Sequence, residues 1–277
     1  MRQLAVAILV FCTVVYLGAA VYLKVSERSL IYLPGAREVD DPPAGFALGH
    51  RAVDFRSADG TRLHGWIVTA ARADSSGYWL LISHGNYGNI GFGERPEFYA
   101  YARDIGLNLF AFDYRGYGRS DGRPREQDVY HDAEGAYRYL VDSLRVPPDR
   151  IVLFGHSLGT GVATELATRV PVAALVLEAA YTSLPDIGHE LYPWLPVRLL
   201  AGERFETIGK IGQVTVPKLF LHSLDDDIVP YVHGQRVFAA AAEPKRLVTV
   251  RGGHAGAFRE DRAAYFGAIR ALVDGLQ

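Results

Sequence analysis

Six short runs rich in Val, Ile, Leu and Phe, each separated from the next by helix-length stretches, constrain this chain more than any other feature. They fall at residues 78–83, 107–113, 150–155, 173–178, 218–222 and 247–250. Runs of this length without polar alternation are the pattern of strands buried on both faces, and such strands need helices on each side of their sheet. The intervening residues supply them at 94–105, 126–144, 158–169, 233–242 and 259–276; in the second, Ala133, Ala136, Tyr137 and Leu140 recur at helical spacing, and in the third Leu158, Val162 and Leu166 do so. Ahead of this alternation, residues 51–57 and 62–69 flank an Asp59-Gly60 pair, a hairpin signal because Gly accepts positive φ. The expected fold is α/β: a mostly parallel central sheet with helices on both faces, opened by an antiparallel hairpin.

Composition agrees. With 49% hydrophobic and 22% charged residues among 277, the chain has material for one large core and is not disordered. Lys and Arg number 29 against 31 Asp and Glu, so no overall basic field exists to gather nucleic acid. The single cysteine, Cys12, excludes an internal disulfide framework and a Cys-rich zinc site. No signal for an oligomeric state is present.

Residues 4–23 contain no charge. Twenty residues at about 1.5 Å each reach roughly 30 Å, the thickness of a bilayer's hydrocarbon core. Tyr16, Tyr22 and Lys24 stand toward the end of the run, as at a headgroup boundary. Gly18-Ala19-Ala20 resembles a signal-peptidase site, but signal cores usually run only about 7–15 residues, so the length favours a retained anchor. Basic residues flank both ends, so charge does not select a side. The expected organisation is an anchor at 1–24, a Pro- and Gly-rich connector at 25–49, and a catalytic domain at 50–277.

The chemistry is concentrated at strand ends. Gly155-His156-Ser157-Leu158-Gly159 is G-x-S-x-G between a strand and a helix, where glycines permit a tight turn that leaves the serine hydroxyl open to substrate. The helix starting at Leu158 presents free N–H groups and the positive end of its dipole. Serine needs a base and an orienting acid, which in an open parallel sheet come from loops after later strands. Residues 218–222 lead into Asp225-Asp226-Asp227, and residues 247–250 lead into Arg251-Gly252-Gly253-His254. His254 alone combines a strand end with a Gly-rich loop; His84, His156 and His222 read as structural. The spacing by itself leaves the choice among the three aspartates open.

Beyond these residues, the chain from about 30 to 272 resembles the α/β-hydrolase superfamily, and specifically its membrane-anchored, short-capped group, which includes the depalmitoylase-like α/β-hydrolase domain-containing proteins. Serine aminopeptidase-type hydrolases are similar more distantly. The resemblance is carried by SHGNYGN (83–89), DYRGYGRSDGRP (113–124), GHSLGTGVA (155–163), the segment 204–230, EPKRLVTVRGGHAG (243–256) and Ile-Tyr-Leu-Pro at 31–34. It implies a catalytic triad of Ser157, Asp226 and His254, in the order Ser…Asp…His, with Asp225 the alternative acid. His222 and Pro230 set that register, and Ser223 stands where the family usually has Gly. It also implies oxyanion donors from the backbone of Asn86 and Leu158, and a structural turn at 113–116 in which Arg115 packs a loop.

The segment 181–208 is a short cap. Its apolar residues would line an acyl pocket, face lipid or fill the core; Tyr181 and Trp194, with Tyr87, are the candidate substrate contacts. The function implied is a serine hydrolase of ester or thioester bonds in acyl or lipid substrates, needing no metal or organic cofactor and held at a membrane by one N-terminal span. Two alternatives keep the same fold: a serine peptidase or amidase using the same triad, and a catalytically silent membrane scaffold.

Overall fold

The computed structural model describes residues 1–37, 48–71 and 77–276. The first element, α1 (Arg2–Ile31), is a single helix none of whose residues is buried. It does not stop at Lys24: residues 25–31, expected as connector, continue the helix because their polar side chains find partners on the body. The remainder of the expected connector from 38 to 47 lies outside the described residues.

The strands β1 (His50–Arg56), β2 (Arg62–Val68), β3 (Trp79–Ser83), β4 (Asn108–Phe112), β5 (Ile151–His156), β6 (Ala174–Glu178), β7 (Lys218–Ser223) and β8 (Lys245–Val250) form one eight-stranded sheet in the order β1-β2-β4-β3-β5-β6-β7-β8. The β1–β2 hairpin is antiparallel, as is the β2–β4 pair; every other neighbour is parallel. This is the mostly parallel sheet opened by an antiparallel hairpin that the alternation of runs predicts, and the arrangement that the resemblance implies.

Strand β5 explains why the sheet needs two layers of helix. Ile151 and Leu153 enter one core cluster, with Val129 and Ala133 of α3 (Glu126–Arg138) and Val162 and Leu166 of α4 (Leu158–Ala167). Val152 and Phe154 enter the other, with Phe98 and Tyr99 of α2 (Arg95–Asp104) and Tyr265 and Ile269 of α9 (Arg262–Asp274). The two-residue period of a strand sends alternate side chains to opposite faces, and each fully buried Leu, Ile or Phe contributes roughly 1.5–3 kcal/mol.

Differences from the sequence expectations are local. The helix expected over 126–144 ends at Arg138 and passes into a wider turn over Tyr139–Ser143, where the N–H of Leu144 reaches the carbonyl of Tyr139. The C-terminal helix is divided at Asp261 into α8 (Ala257–Glu260) and α9. Between β6 and β7 lie the two short cap helices α5 (Leu184–Leu191) and α6 (Val197–Leu200), and α7 (Tyr231–Ala240) starts directly after Pro230.

Candidate active site

Ser157, Asn86, Asp226 and His254 follow β5, β3, β7 and β8 respectively, so all four stand at the carboxyl ends of parallel strands. Ser157 occupies φ 52°, ψ −121°, a conformation that costs a non-glycine residue roughly 1–3 kcal/mol. It is held there from both sides: its N–H donates to the carbonyl of Glu178 at 3.0 Å, and its carbonyl accepts from Thr160 Oγ1 at 2.7 Å. The turn also explains its glycines. A Cβ on Gly155 would strike the carbonyl of Gly159, and one on Gly159 would strike that of Ser83.

The three aspartates separate clearly. Asp225 is on the surface, 3.0 Å from Arg251, and Asp227 is exposed. The Asp226 carboxylate is buried and accepts from the N–H groups of Ile228 and Val229 at 2.9 and 2.8 Å, while both its oxygens stand 2.9 Å from His254 Nδ1. Burial alone would raise this carboxyl, but the hydrogen bond and charge of His254, with the two backbone donors, hold it below its ordinary value. With Nδ1 donating to Asp226, the other ring nitrogen of His254 is free to accept. Ser223 joins the two loops: its hydroxyl donates to the carbonyl of Gly252 and accepts from the N–H of Asp225, tying the acid loop to the histidine loop.

Asn86 is positioned by its carbonyl neighbours. The Gly85 carbonyl accepts from His84 Nδ1 at 2.7 Å, and in a trans peptide the N–H of Asn86 points the opposite way. The Arg95 guanidinium donates to the carbonyls of Tyr87 and Asn89, and at 3.4 Å to that of Gly85. No backbone carbonyl among the described residues accepts the N–H of Asn86 or of Leu158. Two cavities meet here. The first, ≈350 Å³, is lined by Ser157, Leu158, Asn86 and Tyr181 together with apolar residues of the cap and the end of α1; the second, ≈170 Å³, by Ser157, His254, Asn86, Tyr87, Arg95 and Glu178. Tyr181 thus stands in one cavity and Tyr87 in the other. Trp194 lines neither; it is 58% exposed and its ring lies 6.4 Å from that of Tyr16.

The structure gives detail to three groups, of which His156 agrees with its structural reading from the sequence. His156 Nε2 donates to the His254 carbonyl at 3.1 Å, and burial with the neighbouring His254 pulls its pKa down to about 3, so it remains a neutral strut. Glu178 is pushed up to about 8 by burial and is therefore neutral at pH 7. The end of α1 is stitched to the loop after β3: Leu33 N–H donates to Asn86 O at 3.0 Å, Gly88 N–H to Leu33 O at 2.9 Å, and Asn86 Nδ2 to Ile31 O at 2.8 Å. Adjacency to Ser157 is the sequence signal for His156, and the Ile-Tyr-Leu-Pro run at 31–34 for the end of α1; Glu178 has none. Elsewhere, Arg115 is committed to Asp132 and Asp59, which leaves no free cation there. Asp59, Asp128 and His131 converge on one point, but the Arg115 guanidinium already lies 2.8 Å from Asp59 and 3.7 Å from Asp128.

Residues 78–205 match the family model for the alpha/beta hydrolase fold. Over 252 residues the chain is 32% identical to the Arabidopsis thaliana alpha/beta hydrolase domain-containing protein WAV2, covering 84% of this chain and 80% of that protein. The chain belongs to the α/β-hydrolase family. It is also 39% identical to the Mycobacterium tuberculosis protein Rv2307c over 98% of this chain and 96% of that one, and 31% identical to human alpha/beta hydrolase domain-containing protein 17B over 72% and 67%. In fold it is similar to the Pyrococcus furiosus esterase Pf2001, with a TM-score of 0.72 at 16% identity, covering 87% of this chain and 98% of that one.

Proposed function

We propose that this α/β-hydrolase is a membrane-anchored serine hydrolase that cleaves ester or thioester bonds of hydrophobic acyl substrates. The observation that carries the reading is the first cavity: Ser157, Asn86 and Leu158 are part of its wall, and it is otherwise lined mainly by Leu, Ile and Val side chains. In this reading an acyl chain lies along those residues, with its carbonyl carbon at the Ser157 hydroxyl. His254 takes the hydroxyl proton as the oxygen attacks, and Asp226 fixes the imidazole tautomer and balances the charge it acquires. The N–H groups of Asn86 and Leu158 receive the oxyanion, worth roughly 3–4 kcal/mol per donor. The leaving alcohol or thiol departs on the His254 side with the proton that His254 returns, and water then releases the acyl group by the same path.

The membrane reading rests on α1, which is long and apolar enough to cross a bilayer and which the protein leaves uncovered. Full-length protein retained in membranes through carbonate washing, with the mass of the intact chain, is the expected result; a chain shortened near Ala20 would identify a cleaved signal instead.

The catalytic reading is tested by comparing p-nitrophenyl acyl esters, palmitoyl-thioester peptides and aminoacyl anilides, alongside labelling with a fluorophosphonate probe. Turnover of esters or thioesters with labelling of Ser157 is expected. Turnover confined to the anilides would make the protein an amidase, and folded protein that takes no label would be a scaffold.

A further inference from the structure

The cap and α1 are joined more intimately than a tether requires. Glu27 accepts from the N–H groups of Gly202 and Glu203 at 2.6 and 2.9 Å, Lys24 Nζ donates to the Leu200 carbonyl at 2.8 Å, and Arg28 Nε donates to Glu203 at 3.1 Å. These bonds set the height of the cap along the helix axis. The loop between α5 and α6 then carries Trp194 up to Tyr16. Tyr16 lies seven residues before Leu23, the last residue of the uncharged run, and at about 1.5 Å per residue that is about 10 Å inside it.

That distance decides where the cap sits. If the uncharged run fills the hydrocarbon, Trp194 is about 10 Å below its edge. If the edge is instead drawn at Tyr16, the 13 residues from Leu4 to Tyr16 reach about 20 Å, well short of the roughly 30 Å core, and the bilayer would have to thin to match. In the first placement the cap tip lies within the core, and in the second it lies at the interface. The side chains suit it: Leu191, Trp194 and Leu199 are 66, 58 and 87% exposed. The neighbouring acids have basic groups close by: Arg198 lies 2.8 Å from Asp186, and His233 and Arg236 lie 3.1 and 4.0 Å from Glu190. An Arg at such a site extends its guanidinium to the headgroups.

We propose that the cap tip, residues 191–199, is immersed beside α1 in the leaflet nearest the catalytic body, and that the larger cavity opens there. The cavity's lining includes Leu191 and Tyr192 of the cap tip, Leu23 at the end of the uncharged run, and Ser157. An acyl chain of a membrane lipid or lipidated peptide then passes sideways from the leaflet to the serine without crossing water. This last step rests on the hydrolase reading; the immersion of the cap does not.

The test places the full chain in phosphatidylcholine vesicles whose acyl chains are brominated at carbons 6 and 7, and reads tryptophan emission. Trp66, which is buried, and Trp79, which is half-buried, are common to both proteins, so the difference between wild type and Trp194→Phe reports Trp194 alone. The brominated lipid is expected to quench that difference signal by at least half, with aqueous iodide having little effect, and Leu199→Asp should reduce the lipid quenching. A Trp194 signal that iodide quenches freely and brominated lipid leaves unchanged overturns the proposal, as does a membrane-bound chain whose mass lacks α1. In a parallel arm, Leu199→Asp should keep short-chain soluble-ester turnover within twofold and lose at least fivefold on an acyl ester embedded in vesicles. An equal effect on both substrates would argue against lateral entry. No turnover of either by wild type would end the hydrolase reading while leaving the quenching result to decide the cap.

Discussion

The cavity beneath the cap is walled by Leu184, Ile187, Leu191, Val197 and Leu200, with Leu23, Leu30 and Ile31 of α1 closing its outer side; the cavity beside His254 is walled by His84, Arg95, His156 and Glu178 as well as by aromatic rings. They share Ser157 and Asn86. The first is assembled from short helices and a helix exposed to its surroundings, the second from residues embedded in the sheet's upper edge. The difference teaches that one side of the serine is apolar, as the proposed function needs for an acyl chain, while the other gathers His254 with ionisable groups that burial holds uncharged. Burial drives Glu178 and His156 toward their neutral forms, so in the proposed mechanism neither would compete electrostatically with an oxyanion or imidazolium.

Replacing the group common to both cavities should have the largest effect. Ser157→Ala is expected to remove fluorophosphonate labelling and to lower ester turnover by a factor on the order of 10⁶. On the polar side, Asp226→Asn should lower kcat by about 10⁴ by permitting the wrong His254 tautomer, whereas Asp225→Asn and Asp227→Asn should stay within about threefold of wild type on the same assay, the scale of surface changes. A larger loss at Asp225 would contradict the geometry of the acid loop. On the apolar side, Ile187→Trp should cut kcat/KM for a sixteen-carbon ester by about tenfold or more relative to a four-carbon ester, the size of a pocket's steric discrimination. Phe92→Trp, in the other cavity, should leave that chain-length ratio unchanged; equal shifts from both would erase the distinction between the two sides.

The smallest effect concerns stability. Glu178 keeps its proton up to about pH 8 when folded, against an ordinary 4.5. The folded state therefore binds more protons than the unfolded one between those values, and stability falls as pH rises through that window, then levels off above it. Glu178→Gln should flatten this slope, read as a smaller loss of thermal midpoint between pH 5 and pH 9 in detergent.

Residue patterns went far toward the fold. The runs at 150–155 and 218–222 became β5 and β7 within a residue because strands buried on both faces must be continuously apolar, and that requirement is written locally. The junction at Ser157 was legible for the same reason: glycines on both sides of a serine, between strand and helix, answer to contacts within a few residues and to the neighbouring strand end. The helix over 2–31 was legible in composition but not in extent, because its last turns are fixed by the Glu203 carboxylate, the N–H groups of Gly202 and Glu203 and the Leu200 carbonyl.

What the sequence determined by itself was therefore the kind of sheet, the elbow and the order in which the chemistry arrives along the chain. Spacing left the choice among three adjacent aspartates open and resemblance pointed to Asp226, but the contact of Asp226 with the imidazole, the neutral states of His156 and Glu178, and the joining of α1 to both the loop after β3 and the cap were decided by the tertiary structure. Each depends on burial and on hydrogen bonds between segments dozens of residues apart or more, and those quantities exist only once the sheet has brought the segments together.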